Sequence, residues 1–256
     1  MNSFERFSKL HQQSDPLLIA NVWNAQSAKA CESLGFQALA TSSAAVAETL
    51  GYADGEGMNF EEYLMIIRRI RASTSLPCSV DLEAGYGKTA EEIVSNIRQL
   101  HELGIGGVNI EDSIVVESKR HIIEKDVFTK KIAAVCESLK SDRIDMFINL
   151  RCDAFLLSLP DACAEATARL EAYQQTGIHG LFFPCIFQVE DIRAIVSATQ
   201  LPVNVMCFPG LPEFNQLQSL GVKRISMGNF MNKAVYATLT GIGEKVLSEQ
   251  NCSSFF

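Results

Sequence analysis

The chain alternates from one end to the other between short apolar runs, rich in β-branched residues, and segments with helical periodicity. Runs such as FFPCI and VNVMCF are almost continuously apolar, which is typical of strands buried on both faces of a parallel sheet. Dividing the 256 residues by eight gives 32 per unit, about the length that a strand, a crossover helix and two loops require. We predict eight strands: Leu17–Trp23, Gln37–Val46, Pro77–Ala84, Gly107–Ser113, Asp145–Phe155, Gly180–Ile186, Leu201–Phe208 and Lys223–Phe230.

A helix is predicted after every strand. Glycines end four of the helical patterns just before the next strand, at Gly35, Gly104, Gly177 and Gly221, which is the usual place for glycine after a helix. The predicted helices are 25–34, 59–73, 89–103, 126–141, 160–176, 188–199, 212–220 and about 231–249. Eight such units predict an α/β fold, a (β/α)8 TIM barrel in a single domain over residues 1–256. An open doubly wound sheet is the weaker alternative, because no GxGxxG follows the first strand.

Charge and composition narrow the class of partner. The chain has 22 Lys+Arg against 30 Asp+Glu, a formal net charge of -8, which argues against nucleic acid and anionic membranes as partners. A polar start and the lack of a run of roughly 20 apolar residues lead us to expect a cytoplasmic protein. The eight cysteines form no CxxC pair and the four histidines no metal-ligand spacing, so a small-molecule enzyme without zinc is favoured.

Two predicted connections are longer than the loops that usually follow a strand. They run from Ala47 to Met58 and from Ile114 to Lys125. Because the loops that follow the strands build the active site of a barrel, we predict that both act as lids or specificity loops. Surface insertions without function are the alternative.

Acidic side chains end two neighbouring predicted strands. Asp81 and Glu83 share a face of the third strand, and Asn109 and Glu111 share a face of the fourth. Converging carboxylates repel one another unless a cation neutralises them, and oxygen ligands without His or Cys suit Mg2+. We predict that Asp81 binds Mg2+ directly or through water, while Glu83 and Glu111 hold its water shell. Helix capping, or pairing with Lys88 and Arg151, is the alternative.

The fifth predicted strand places Asn149, Arg151 and Asp153 on one face. A buried arginine needs an anionic partner, and its planar fork of donors matches a substrate carboxylate or phosphonate. We therefore predict that Arg151 binds substrate, with pairing to Asp153 or Glu111 as the structural alternative. The small residues from Thr41 to Ala45 would admit an anionic group closely, or they pack tightly without function. Asn204 is a further polar group in an apolar run, which we predict to bind substrate, with a satisfied core amide as the alternative.

These segments resemble the isocitrate lyase/phosphoenolpyruvate mutase superfamily from about Leu17 to about Thr240. The matching pieces are NVWNAQSAKA, TSSAAVAETLGYADG, DLEAGYG, NIEDS, NLRCDAF and LPVNVM, in this order. The resemblance implies a (β/α)8 barrel, often with its last helix exchanged between subunits, assembled as a homodimer or homotetramer. It also implies Mg2+ and a small 2-oxo or 2-hydroxy carboxylate substrate.

The resemblance also implies roles for individual residues. Ser42, Ser43 and Ala44 resemble the loop that binds the substrate carboxylate, and Trp23 matches an aromatic position near the pocket. The metal positions are Asp81, Glu83 and Glu111, and the catalytic positions are Asp54 and Arg151, whose guanidinium contacts substrate and the developing enolate oxygen.

Departures from the family pattern bear on the reaction. The loop Ser113-Ile-Val-Val-Glu-Ser-Lys-Arg-His121 lacks the cysteine that family lyases use as acid or base, and Ser113 stands where mutases carry lysine. We predict Mg2+-dependent C–C cleavage of a small oxo or hydroxy (di)carboxylate through a pyruvate-type enolate. The proton is then supplied by solvent, Lys119 or His121, with solvated surface residues as the alternative for these two.

Three other functions stay open. The first is P–C chemistry on phosphonopyruvate, by a mutase or a hydrolase, which uses the same enolate. The second is a phosphosugar enzyme, with phosphate held near Phe208–Gly210 and Ser226–Asn229. The third is a binding protein that retains the metal site without catalysis.

Overall fold

Eight parallel strands close into a barrel in the computed structural model, which describes all 256 residues. Each barrel strand pairs with its neighbours in chain order, and the last pairs with the first. The barrel strands are β1 (Leu17–Val22), β2 (Leu39–Thr41), β3 (Cys78–Asp81), β4 (Gly107–Glu111), β7 (Phe147–Arg151), β8 (Gly180–Phe183), β9 (Val203–Met206) and β10 (Arg224–Ser226). A separate antiparallel hairpin follows β4 and consists of β5 (Ser113–Val116) and β6 (Lys119–Ile122). The prediction of a (β/α)8 barrel is confirmed.

The eight predicted helices are all present, and two more occur. The helices are α1 (Ser3–Leu10), α2 (Ala25–Ser33), α3 (Ser43–Leu50), α4 (Phe60–Arg71), α5 (Ala90–Glu102), α6 (Lys125–Ser141), α7 (Ala162–Tyr173), α8 (Val189–Ser197), α9 (Phe214–Ser219) and α10 (Phe230–Glu249). The second predicted strand was too long, because α3 begins at Ser43, within its last four residues. The Ser42 hydroxyl accepts a hydrogen bond from the Ala45 N–H and so caps this helix.

Helix α1 closes the amino end of the barrel. It begins at a capping box, in which the Asn2 side chain accepts from the Glu5 N–H and the Glu5 carboxylate accepts from the Asn2 N–H. Phe7 is fully buried and packs with residues at the amino ends of the strands: Leu17, Ile19, Ala38, Ala40 and Phe147. Phe7 and these strand residues therefore form a packed core at the amino end of the barrel.

A second, larger core lies between the barrel and its surrounding helices. In α5, Ile93, Ile97 and Leu100 recur at helical spacing and are fully buried against the sheet. Burial of each such side chain contributes about 1.5–3 kcal/mol to stability. This layer fixes the strands and thereby the side chains that project from their carboxyl ends.

Helix α10 differs from the others because Asn232 is its only buried residue. Val235, Leu239 and Leu247 are more than half exposed. None of the helices combines the length and apolar character that crossing a membrane requires.

Candidate active site

The acidic residues of β3 and β4 meet Arg151 at the carboxyl end of the barrel. The parallel register pairs Asp81 with Asn109 and Glu111 with Arg151. Asn109 and Glu111 are buried, and Asp81 and Arg151 are partly exposed toward the open end. The structure thus brings together the carboxylates and the arginine that the alternation of side chains predicted.

Asp81 is held from both its backbone and its side chain. The Asp81 N–H donates to Thr41 Oγ1 at 3.0 Å, and Tyr63 Oη donates to the Asp81 carbonyl at 3.0 Å. Ser43 Oγ donates to Asp81 Oδ2 at 2.8 Å, while Asn109 Nδ2 lies 3.5 Å from Oδ1. The carboxylate is therefore fixed in direction, and one of its oxygens has only a weak partner.

Glu83 lies just beyond the end of β3, in a backbone conformation that is uncommon for a residue with a side chain. Its φ is 49°, and only 2% of the residue is exposed. Its carboxylate accepts hydrogen bonds from the Glu56 N–H at 2.5 Å and from Tyr86 Oη at 3.2 Å. Burial, together with the charges of Asp54 and Glu111, raises the pKa of Glu83 to about 9. A strained, buried carboxyl group among other acids is typical of a functional site.

Glu111 and Asp153 flank the Arg151 guanidinium. Arg151 Nη1 lies 2.7 Å from Glu111 Oε2, and Arg151 Nε donates to Asp153 Oδ1 at 2.6 Å. Burial raises the pKa of Glu111 above its ordinary value, although the neighbouring Arg151 charge lowers it. Both pairings that we considered for Arg151 are present, and its side chain remains partly exposed at the barrel mouth.

The β5–β6 hairpin contributes a second arginine, which the sequence analysis missed. Arg120 Nη1 contacts Glu111 Oε1, Ser113 Oγ at 2.8 Å and Asp153 Oδ2 at 3.4 Å. Its Nη2 donates to Asp54 Oδ2 at 3.1 Å. Side chains alternate along β6, so Arg120 faces the site, whereas the predicted catalytic residues Lys119 and His121 are exposed on the other face.

The two long connections meet above this cluster. Gly55, in the first of them, has a φ of 99°, and a Cβ at this position would collide with the Val115 side chain of the hairpin. The Asp54–Arg120 ion pair joins the same two segments. Both segments therefore cover the acidic cluster, as expected of lid or specificity loops.

The residues predicted to bind substrate lie at different depths. Ser42 and Ser43 begin α3, whose first N–H groups face the carboxyl end of the barrel near Asp81, and Ala44 is half-buried beside them. Trp23 follows β1 and is buried, and its backbone N–H donates to Ser27 Oγ.

Asn204 is fully buried deeper in the barrel. It accepts a hydrogen bond from Asn149 Nδ2 at 3.2 Å and donates to Ser226 Oγ at 3.2 Å. Asn149 also donates to Asn109 Oδ1 at 2.9 Å. Asn204 thus belongs to an amide network that lies beneath the carboxylates and supports Asn109.

A further buried cluster positions the end of β7. Asp112 Oδ1 accepts from the Asp153 N–H at 2.9 Å, and Asp112 Oδ2 accepts from Tyr173 Oη at 2.9 Å and from Arg169 Nη1 at 3.3 Å. Asp112 is fully buried, so its charge is matched within the fold and faces away from the open site. These bonds fix the backbone that carries Arg151 and Asp153.

The oxygen-rich donor set fits Mg2+ held largely through water. No three Asp, Glu, His or Cys side chains are grouped closely enough to cage a metal directly. Glu111 Oε2 is buried and accepts no hydrogen bond of normal geometry, although Arg151 Nη1 is near it. Six carboxyl groups lie in one cluster with two guanidinium groups, and three of them pair with an arginine: Asp54, Glu111 and Asp153, the others being Glu56, Asp81 and Glu83. Mg2+ binds proteins through only one or two direct carboxylates and keeps several of its waters. The remaining carboxylates of this cluster would accept hydrogen bonds from those waters, so the donor set suits Mg2+ better than an ion that needs a cage of protein ligands.

Comparison with known proteins places this site in a family. The family model described as phosphoenolpyruvate phosphomutase matches residues 7–247. The chain belongs to this family. The phosphoenolpyruvate mutase family is part of the isocitrate lyase/phosphoenolpyruvate mutase superfamily, whose members are lyases and mutases, so the sequence resemblance is confirmed and the protein is an enzyme of this group.

Individual family members show how close the relationship is. The chain is 30% identical to the 2-methylisocitrate lyase of Escherichia coli (strain K12), over 79% of this chain and 69% of that protein. It is 28% identical to an oxaloacetate decarboxylase of Bradyrhizobium sp. (strain BTAi1), over 87% and 78% respectively. A crystal structure of a candidate phosphonomutase from Burkholderia cenocepacia J2315 aligns with a TM-score of 0.87 at 34% identity, covering 95% and 98%.

Proposed function

We propose that this family member is a Mg2+-dependent lyase or decarboxylase that cleaves a C–C bond of a small 2-oxo or 2-hydroxy (di)carboxylate through a pyruvate-type enolate. The observation that carries the proposal is the position of Arg151, which lies between Glu111 and Asp153 at the carboxyl end of the barrel and feels the charge of Asp81. A cationic fork next to an acidic, oxygen-rich pocket suits an anionic substrate held together with a divalent cation.

Each residue has a distinct part in this proposal. The first turn of α3, with Ser42, Ser43 and Ala44, receives the substrate carboxylate at its N–H groups. Arg151 donates to the C2 oxygen as negative charge develops there, and Asp153 fixes the direction of that donor. When bound by Asp81, with Glu83 and Glu111 around its water shell, Mg2+ would supply Lewis-acid stabilisation of the same oxygen.

The enolate must then gain a proton at carbon. The hairpin carries no cysteine, and Lys119 and His121 are exposed on its outer face, so we propose water as the proton donor ahead of these two residues. Asp54 contributes by anchoring Arg120 across the pocket mouth, which limits access of bulk solvent.

The test is pyruvate release from a panel of oxo and hydroxy dicarboxylic acids, with and without EDTA. We expect cleavage of at least one acid, loss of turnover with EDTA, and its recovery with Mg2+. Asp81→Ala is expected to abolish turnover, whereas Glu102→Ala, an exposed change at the end of α5, leaves it unchanged. Turnover that is insensitive to both EDTA and Asp81→Ala would refute the proposal.

P–C chemistry on phosphonopyruvate is the second candidate. It is favoured by the match to the phosphoenolpyruvate phosphomutase model and by the 34% identity to a candidate phosphonomutase. The same Arg151 and cation site would stabilise the same enolate. Formation of phosphoenolpyruvate or release of phosphate from phosphonopyruvate, without cleavage of dicarboxylic acids, would decide for this reaction.

We also propose a homodimer or homotetramer. The support is α10, on which Val235, Leu239 and Leu247 leave an apolar surface largely exposed in the single chain. Light scattering of the full-length protein measures the assembly. A monomer at micromolar concentration would refute this part.

A further inference from the structure

Arg120 holds an unusual position for a residue on a connecting hairpin. Its guanidinium lies against three carboxylates at once, those of Glu111, Asp153 and Asp54, and only 15% of its side chain is exposed. Glu111 and Asp153 are buried and already paired with Arg151. Arg120 is therefore a second cation placed into the acidic cluster from outside the barrel.

The contacts of Arg120 overlap with those that a divalent cation would need. Glu111 Oε1 accepts from Arg120, while Oε2 lies near Arg151 without a hydrogen bond of normal geometry, so the water shell of a metal would compete with Arg120 for Glu111. A guanidinium and a divalent cation near the same carboxylates also repel each other. In a partly buried site this repulsion is only weakly screened.

We propose that Arg120 is an internal counter-ion of the acidic cluster, and that a divalent cation binds by displacing Arg120 from Glu111 and thereby loosens the β5–β6 hairpin. The inference rests on the proposed function, because it assumes that the cluster takes a divalent cation. It adds a positioning role for Arg120, which couples occupancy of the site to the segment that covers it.

Coupling of this kind is reciprocal. If the cation and Arg120 compete for Glu111, removing Arg120 is expected to strengthen binding of the cation. The contrast with Lys119 is informative, because Lys119 is its neighbour in β6 and carries the same charge on the exposed face. A long-range effect of charge on cation binding would appear when either residue is removed. An effect of displacement would appear only when Arg120 is removed.

The first experiment measures Mn2+ binding to the full-length protein by electron paramagnetic resonance, without substrate. Arg120→Gln is expected to bind Mn2+ about tenfold more tightly than the wild type, and Lys119→Gln within twofold of it. Equal or weaker binding by Arg120→Gln would overturn the inference, because a residue that merely orders the site would weaken binding when removed.

The second experiment uses the wild-type protein only, so it does not depend on the folding of a variant. Hydrogen exchange of the amides in residues 113–122 is expected to become faster when Mn2+ is added. Unchanged or slower exchange, with Mn2+ bound, would overturn the displacement of Arg120 and leave the proposed metal site intact. Failure of every variant to bind Mn2+ would instead refute the metal site itself, and with it this inference.

Discussion

The two ends of the barrel interior bury charge in different ways. At the carboxyl end, Arg151 lies against Glu111 and Asp153 with paired, hydrogen-bonded contacts. At the amino end, Arg224 is 1% exposed, its Nε and Nη1 have no hydrogen-bond partner, and its guanidinium lies 5.7 Å from the centre of the Phe7 ring. Burial lowers the pKa of Arg224 to about 10, so it remains charged at neutral pH.

The charged groups at the carboxyl end are arranged for catalysis, whereas Arg224 at the amino end is a charge buried in a packed core. At the carboxyl end, carboxylates pair with guanidinium groups, yet the cluster keeps an excess of acid that a divalent cation would neutralise. At the amino end, α1 fills the barrel with Phe7, and charge there lacks a carboxylate partner. The Asn109, Asn149 and Asn204 network lies between the two ends.

The largest effect is expected for Arg151→Met. Removing this guanidinium leaves Glu111 and Asp153 buried with less compensation, which costs about 3–5 kcal/mol of unfolding free energy. It also removes the donor to the C2 oxygen, so turnover of the substrate should fall by about a thousandfold, or about 4 kcal/mol. Urea denaturation and steady-state kinetics measure the two effects. Turnover within tenfold of the wild type would place Arg151 outside the chemistry.

Arg224→Met, the matched change at the amino end, is expected to act in the opposite direction. Replacing a buried charge that lacks an ionic partner by an apolar side chain of similar length is neutral, or stabilises the fold by about 1–4 kcal/mol. Turnover should stay within about threefold of the wild type. Destabilisation as large as that of Arg151→Met would break the distinction between the two ends, since it would imply that Arg224 has a partner.

His11, at the amino end of the barrel, makes the stability of the fold depend on pH. Burial, with a smaller contribution from the Arg224 charge, lowers the pKa of His11 to about 3. Because the unfolded chain protonates His11 near pH 6.5 and the folded chain does not, its contribution to stability is complete above pH 6.5. That contribution is lost progressively as the pH falls toward 3.

Between pH 6 and pH 5, this loss amounts to about 1 kcal/mol of unfolding free energy. His11→Phe keeps an aromatic ring against Phe147, which stacks on His11 with ring centres 4.3 Å apart. Between pH 6 and pH 5, the unfolding free energy of the variant should fall by about 1 kcal/mol less than that of the wild type. Urea denaturation at both pH values measures this difference. Identical pH dependence in the two proteins would show that His11 does not titrate on unfolding.

The two ends also differ in how far sequence reasoning could reach. Side-chain alternation predicted that Asp81 and Glu111 enter the barrel with Arg151, because a strand buried on both faces has only two directions for a side chain. The amino end was missed, although Asn2 and Glu5 have the spacing of a capping box and Phe7 falls on the apolar side of that helix.

Arg120 was missed for a different reason. Its direction depends on the register of β6, and the register depends on the turn at Glu117 and Ser118. Both residues have positive φ, 49° and 61°, as a two-residue hairpin turn requires. Such turns usually contain Asn-Gly or Asp-Gly, so the local sequence carries no signal for the hairpin, and tertiary contacts such as Arg120 with Asp54 and Glu111 must select it.

The smallest effect on turnover is expected for residues on the outer face of the β5–β6 hairpin, which contrast with Arg120 on its inner face. Lys119 and His121 are exposed, one residue to either side of Arg120. If water supplies the proton, replacing both residues by Gln lowers turnover less than threefold, or about 0.6 kcal/mol. Steady-state kinetics across pH 6 to 9 measures this, with thermal unfolding as the check on folding. A loss of a hundredfold, the size expected for removal of a general acid, would mean that the hairpin turns this face inward during catalysis.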